Sequence, residues 1–479
     1  MVKSNFIDRC EQENLHLSGK VQSGNSVAVF EASGELTDIS ANFDASLLGH
    51  EDVFEAILKR ANLTVFLALQ NLHFVTTVRE PLVYRRYFSL LHNDNHIEGS
   101  ILTLAKSTIL EVYGLGDDAF SPSPTVIANI TDNDEFVDRV RFETKLDRVM
   151  VYRFTDNEDG EVIAESHVPG IGSYLGHRYP ASDVPMVARS LYLLNPWRTI
   201  RDRDGDAISI ASVNQEPPDL TFSDVRSVSP FHISYMKAMG TYSSLSIPID
   251  VDGRLWGLVS GHSESYTNIS LSQLLKVKEL TRRFNNRIST EVHRNQIENY
   301  DRLGRLESRI RRDVLDEKPI ATVMTNSSIE ICHLMSASAL IVSNGEEVLS
   351  HDFDDDPDSV ELLLSLDDSL EPPYVSESIH SDFQGHNSTY VGLARVAFTF
   401  EGETWNLIVF RTEEIEEITW GHRPATAAST TDPKVEASPR ASFESYIETR
   451  HGHCRSFSRG DIRTLSAIAR ALSYGSSIA

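Results

Sequence analysis

The chain predicts an α+β protein of three domains, with antiparallel sheets flanked by helices and a long connecting helix. Three observations carry this reading. At 479 residues there is room for about three domains of ~100–200 residues each. Apolar runs of period two, joined by tight turns, recur along the chain and mark hairpins rather than parallel crossovers. A helical apolar spacing then runs from Leu271 to about Leu315, beyond the ~25 residues of an ordinary globular helix.

In the first domain, residues 1–120, Val27 to Glu31 and Leu36 to Ser40 flank Ala32-Ser33-Gly34 and predict a hairpin. Helical spacing follows from Phe54 to Leu69. Ser121-Pro122-Ser123-Pro124 marks the boundary. The second domain, 125–300, opens with a helix near Asn133 to Thr144. Strands at 147–154 and 161–165 follow, separated by turn residues Asn157 to Gly160. A second hairpin joins Ser244–Asp250 to Arg254–Ser260 through Val251-Asp252-Gly253. On the long helix, Leu280, Phe284, Ile288 and Val292 step by four. Glu279–Arg283, Glu298–Arg302, Asp301–Arg305 and Glu307–Arg311 are spaced to pair. In the third domain, 305–479, Val396–Glu401 and Thr404–Arg411 predict a hairpin around Gly402. Ten acidic residues and no Lys or Arg within 351–380 predict a solvated loop. An Ala/Ser/Thr/Pro-rich excursion follows Trp420, and an amphipathic helix covers Asp461 to Tyr474.

The composition excludes several classes. A hydrophobic content of 40% argues against global disorder, and a net charge of −26 against nucleic acid or anionic lipid as partner. Cys10, Cys332 and Cys454 have neither metal-ligand spacing nor the number for a disulfide framework. With no signal-peptide core and no apolar run of ~18 residues, the expectation is a cytoplasmic protein without a membrane partner.

The chemistry concentrates between residues 179 and 262. That stretch supplies Asp183, two isolated arginines (Arg198, Arg226), two histidines (His232, His262), hydroxyls and many aromatics, a set suited to a flat apolar ligand with charged corners. Each residue also has a plainer reading. Buried arginines are more often paired internally, single histidines are more often structural, and Asp183 could cap a helix starting near Pro185. Tyr152, Tyr179, Tyr192 and Tyr235 could be core.

The order of the motifs resembles the phytochrome family, specifically its biliverdin-carrying bacterial type. Pro180-Ala181-Ser182-Asp183-Val184-Pro185 is similar to the family's Pro-Ala-Ser-Asp-Ile-Pro motif with one conservative change. Tyr152-Arg153-Phe154, the run Gly160 to Glu165, Ser229 to Met236 and Leu255-Trp256-Gly257-Leu258 also resemble family segments, as does Pro439-Arg440-Ala441-Ser442-Phe443 in the third domain. The resemblance implies PAS, GAF and PHY domains, with a tongue at about 411–458. It further implies a biliverdin contacted by Asp183 and His232. Its propionates would be held by Arg198 and Arg226 with Ser229, Ser244 and Ser246. His262 would reach ring D, with Tyr152, Tyr179, Tyr192 and Tyr235 around the pigment. Phe231 stands where plant-type members have the attachment cysteine, so Cys10 is the implied thioether nucleophile. Arg440 and Ser442 would relay the signal from the tongue, Arg440 by pairing with Asp183. A homodimer along the long helix, and an output domain or response partner, are implied too.

No Gly-x-Ser-x-Gly elbow, P-loop or kinase histidine box is present, so an enzyme within this chain is not expected. An output enzyme, a histidine kinase or diguanylate cyclase, would lie beyond residue 479. A pigment-free scaffold that binds another ligand or a protein is the alternative reading.

Overall fold

The computed structural model describes residues 13–49, 84–92, 94–115, 130–155, 157–354, 373–382, 388–421 and 445–474. They fall into two compact units. The first comprises residues 1–289 with 420–446, and the second 290–419 with 447–479. The helix expected over Phe54–Leu69 lies outside the described residues.

The first unit contains the strands Lys20–Val21 (β1), Ser26–Glu31 (β2), Leu36–Ser40 (β3), Tyr84–His92 (β4), Asn95–Thr103 (β5) and Ser107–Leu115 (β6). After the helix Asn133–Thr144 come Arg148–Phe154 (β7), Gly160–His167 (β8), Arg178–Tyr179 (β9), Arg198–Ile200 (β10), Ile208–Ser212 (β11), Ser243–Val251 (β12) and Arg254–Ser263 (β13). One sheet has the order β1-β11-β3-β2-β6-β5-β4. Its second strand therefore comes from well inside the range expected for the second domain. The other runs β10-β12-β13-β7-β8-β9, and Trp420 pairs in parallel with Arg178 at its β9 edge.

Local chemistry accounts for these elements. β8 alternates buried and half-buried residues along its length, as a strand covered mainly on one face should. β12 turns into β13 through Asp252 and Gly253, both at positive φ (54° and 74°), the turn that an Asp-Gly pair favours. Asp132 caps the helix Asn133–Thr144 by accepting from the Glu135 amide at 2.8 Å. Phe136 of that helix stacks on Phe284 with ring centroids 4.0 Å apart, and both are fully buried.

Phe284 belongs to the 45-residue helix Leu271–Leu315. Its start is capped by Glu98 of β5, which accepts from the Leu271 amide at 2.8 Å. Leu274, Val277, Leu280, Phe284 and Ile288 form its buried stripe in the first unit. Glu279–Arg283 (2.9 Å) and Glu307–Arg311 (3.4 Å) pair as expected. Glu298–Arg302 and Asp301–Arg305 do not form ion pairs. All four side chains are exposed, where such a pair stabilises by only ~0.3–0.5 kcal/mol and water competes well.

The second unit holds a five-stranded antiparallel sheet, β15-β14-β18-β17-β16. Its strands are Ala339–Ser343 (β14), Val348–His351 (β15), Tyr374–Ser376 (β16), Tyr390–Phe400 (β17) and Glu403–Thr412 (β18). Residues 390–396 are all buried because separate apolar clusters cover both faces of β17. The helix Arg459–Leu472 covers one face and starts from a capping box between Ser458 and Asp461. Arg411 at the end of β18 is buried. It donates to the carbonyls of Arg455 (2.8 Å), Ser456 (2.9 Å) and Met335, contacts Asp461 at 3.2 Å, and lies 3.9 Å over the Phe457 ring.

Candidate ligand-binding cleft

The cleft is built around the turn Pro180–Pro185. Both prolines are extended (ψ 149° and 156°) and bracket a single helical turn, Ala181–Asp183. The turn is fastened from both sides. The Ala181 amide donates to Asp159 Oδ1 (3.0 Å), while Arg189 donates from Nε to the Val184 carbonyl (2.7 Å) and from Nη2 to that of Ala181 (3.1 Å). Asp183 does not cap the next helix, Met186–Leu194, whose N-cap is Pro185 with no side-chain bond. Its carboxylate instead accepts from the Tyr235 hydroxyl at 3.1 Å, inside the first unit's main cleft.

That cleft has two joined chambers, with about 1130 Å3 of empty space in the first and 710 Å3 in the second, open mouth included. They share Asp183, Tyr192, His232, Tyr235, Ser244 and Ser246. Arg198, Arg226 and Ser229 line only the first chamber, and Tyr152, Tyr179 and His262 only the second. All twelve expected binding residues among those described thus meet in one cavity, graded from a cationic to an aromatic end. Cys10, Arg440 and Ser442 lie outside the described residues.

At the cationic end neither arginine ion-pairs with a carboxylate among the described residues. Arg198 donates to the carbonyls of Asp224 (2.9 Å), Arg226 (2.7 Å) and Ser227 (2.9 Å), and Arg226 to that of Ser223 (2.7 Å). Burial, and for Arg198 also the charge of Arg226, disfavours their protonated forms. Arg226 is lowered to about 10 and Arg198 well below its ordinary value. Two sequestered guanidiniums facing a cavity form an anion site, and a ligand carboxylate would relieve both terms. Ser229, in the lining of the first chamber, also caps the helix Pro230–Ala238 by accepting from the Phe231 amide (3.2 Å), and donates to Glu13 (2.7 Å).

His232, shared by the two chambers, and His262, in the second, are both held in the neutral form. Burial and then the charge of Arg198 lower His232 to about 4. Burial, Arg148 and His232 lower His262 to about 3. A neutral imidazole has both a donor and an acceptor to offer a ligand N–H or carbonyl. Burial, aided by the Asp183 charge, pushes the Tyr152 and Tyr179 hydroxyls up, so both remain protonated donors. These two rings fit only because glycines face them. A Cβ at Gly160 would overlap the Tyr152 ring, and one at Gly421 the Tyr179 ring.

Several lining or supporting residues escaped sequence reasoning. Glu13 faces the cleft across more than 200 residues of chain. Arg148 stacks 3.6 Å over Tyr174 and pairs with Glu165 at 3.2 Å. Arg189 had one usable signal, its place one helical turn after Pro185.

Comparison with known proteins agrees with this architecture. The GAF domain family matches residues 133–288, and the phytochrome region family matches 303–474. A bacteriophytochrome of Pseudomonas aeruginosa is 29% identical over 494 residues, covering 97% of this chain and 65% of that protein. The phytochrome-like protein Cph1 of Synechocystis sp. is 30% identical over 359 residues, 72% of this chain and 47% of that protein. The chain therefore spans just under two thirds of the first of these curated relatives and about half of the second. Two solved structures share the fold. The Stigmatella aurantiaca phytochrome photosensory core module has a TM-score of 0.73 at 23% identity, covering 98% of each chain. A bacteriophytochrome from the photosynthetic bacterium R. palustris has 0.68 at 22%, covering 97% of this chain and 98% of its own. Among the described residues no helix is long and apolar enough to cross a membrane. With the motifs in order, both family matches contiguous and the fold shared end to end, the chain belongs to the phytochrome family.

Proposed function

We propose that this chain is a red/far-red photosensory module that carries biliverdin in the cleft, thioether-linked to Cys10. The observation that supports it most is the graded cavity, with two arginines that ion-pair with no carboxylate among the described residues at one end, and tyrosines with a neutral histidine at the other. A bilin has that same polarity, with propionates at its centre and a rotatable terminal ring. When bound it would supply absorption of red and far-red light and isomerisation about one methine bridge.

The chain's own residues do the rest. Arg226 and Arg198 hold the propionates, Ser244 and Ser246 assist, and Asp183 with His232 accepts from the pyrrole N–H groups. His262 meets the terminal carbonyl, within a wall of Tyr152, Tyr179 and Tyr192. Cys10 adds its S–H across a vinyl group with no atom lost. Three peptide units, at most about 11 Å, separate it from Glu13 in the cleft wall. Arg440, paired with Asp183, and Ser442 pass the change to the tongue. The long helix then relays it, in a cytoplasmic homodimer, to an output domain or response partner that performs any enzymatic step.

The test is a light-induced difference spectrum of protein produced with biliverdin, alternating red and far-red illumination. Reversible changes of opposite sign are expected in wild type. A Cys10→Ala variant should release its pigment under denaturing conditions, where wild type retains it. Absence of bound pigment in wild type would overturn the reading and favour a scaffold for another ligand. A flat difference spectrum would refute the photoswitch alone.

A further inference from the structure

The two cleft arginines hang on one short segment, and a buried charge cluster outside the cleft holds that segment. Arg198 donates to the carbonyls of residues 224, 226 and 227, and Arg226 lies within the segment and donates to Ser223. On its far side the segment meets the seven-stranded sheet. The Asp224 amide donates to Glu111 Oε1 at 2.9 Å. The Asp224 carboxylate accepts from Arg85, which also donates to the Phe222 carbonyl. The Tyr113 hydroxyl lies 3.2 Å from both carboxylates, and Ser100 donates to Glu111 at 2.7 Å. The N-terminal segment adds two backbone bonds: the Gln22 amide donates to the Val225 carbonyl and the Ser227 amide to the Lys20 carbonyl, both 2.9 Å.

This cluster is unusual in its charge. Glu111 (0% exposed) and Asp224 (3%) share one guanidinium, Arg85, which leaves a buried excess of one negative charge. Such an excess is costly unless cations stand nearby. Arg198 and Arg226 are those cations, and the field of Glu111 favours the charged form of both. The cluster therefore fixes the segment's position, and within it Glu111 favours the cationic form of both arginines while Arg85 opposes it at Arg226.

We propose that Glu111, with Arg85 and Tyr113, are positioning residues of the first domain that tune how the cleft binds ligand carboxylates, acting through Asp224 rather than by touching the ligand. The inference rests on the proposed bilin site. A local experiment separates it from that reading. Biliverdin and its dimethyl ester, which lacks the carboxylates, are titrated by fluorescence quenching into a Cys10→Ala background that keeps binding reversible. Each removed charge-assisted hydrogen bond should cost about tenfold or more, so the unaltered site should prefer biliverdin at least ~10-fold over the ester. Glu111→Gln should cut that preference by at least ~3-fold while leaving the ester's Kd within ~2-fold. Tyr113→Phe, which keeps the ring packing, should act in the same direction if Glu111→Gln does not fold. An unchanged preference, or equal weakening of both ligands, would overturn the inference and leave the cluster merely structural. A background protein that binds both ligands equally would overturn the anion site itself.

Discussion

Acid should loosen the ligand-free first unit through two specific side chains. His232 titrates near 4 and His262 near 3, against ~6.5 in an unfolded chain. With folded pKa values depressed, the unfolded state binds protons that the folded state refuses below pH 6.5. Stability is therefore full above 6.5 and falls as pH drops, at ~1.4 kcal/mol per unit for each histidine. From pH 6.5 to 4.5 that amounts to 2–3 kcal/mol each, about 5 kcal/mol for the pair. Both rings are only half-buried in an open cleft, so water reduces this to roughly 3–5 kcal/mol. The carboxylates titrate as well, so the comparison is with a His232→Gln/His262→Gln double variant, which shares them. Urea unfolding, followed by tryptophan fluorescence in a Trp405→Phe background so that the signal comes from the first unit's Trp197, Trp256 and Trp420, would be run for both proteins from pH 7.5 to 4.5. From pH 7.5 to 4.5 the wild type should lose 3–5 kcal/mol more than the double variant. Curves that stay parallel would refute the claim that the cleft enforces neutrality on these imidazoles.

Two further outcomes concern packing. Gly160→Ala places a methyl group inside the Tyr152 ring, so Tyr152 must swing out. A loss of ~1–3 kcal/mol in thermal unfolding, with weaker pigment binding, is expected. Arg411→Met leaves the acceptors at Met335, Arg455, Ser456 and Asp461 without their buried donor. The second unit should lose ~3–5 kcal/mol, read from its denaturant midpoint, while pigment binding in the first unit is unaffected.

The sequence spoke clearly where a local rule suffices. Asp252-Gly253 specifies the turn between β12 and β13, and Asn133–Thr144 has both its start signal and its apolar face. The long helix was legible from its stripe alone. The site was legible only as a pattern of motifs, because its arginines, histidines, tyrosines and Asp183 each fit a plainer role when taken singly. For Asp183 helix capping was the simple reading, but Pro185 takes the N-cap position and the Asp183 carboxylate accepts from Tyr235 instead. Glu13, Arg148 and the Glu111 cluster were illegible because tertiary pairing across 100 residues or more, or an ordinary-looking strand position, defines them.

The seven-stranded sheet has a consequence for synthesis on the ribosome. β11 lies between β1 and β3, yet it is made roughly 190 residues after Lys20, its partner's residue. At ~5–20 residues per second, β3 waits about 9–34 s with an open edge while the intervening chain emerges. An unpaired edge is a template for pairing with other chains, so nascent molecules on one message are at risk of joining there. The interval closes only when Ile208–Ser212 arrives, and slowing translation just before those codons should lower the yield of folded protein.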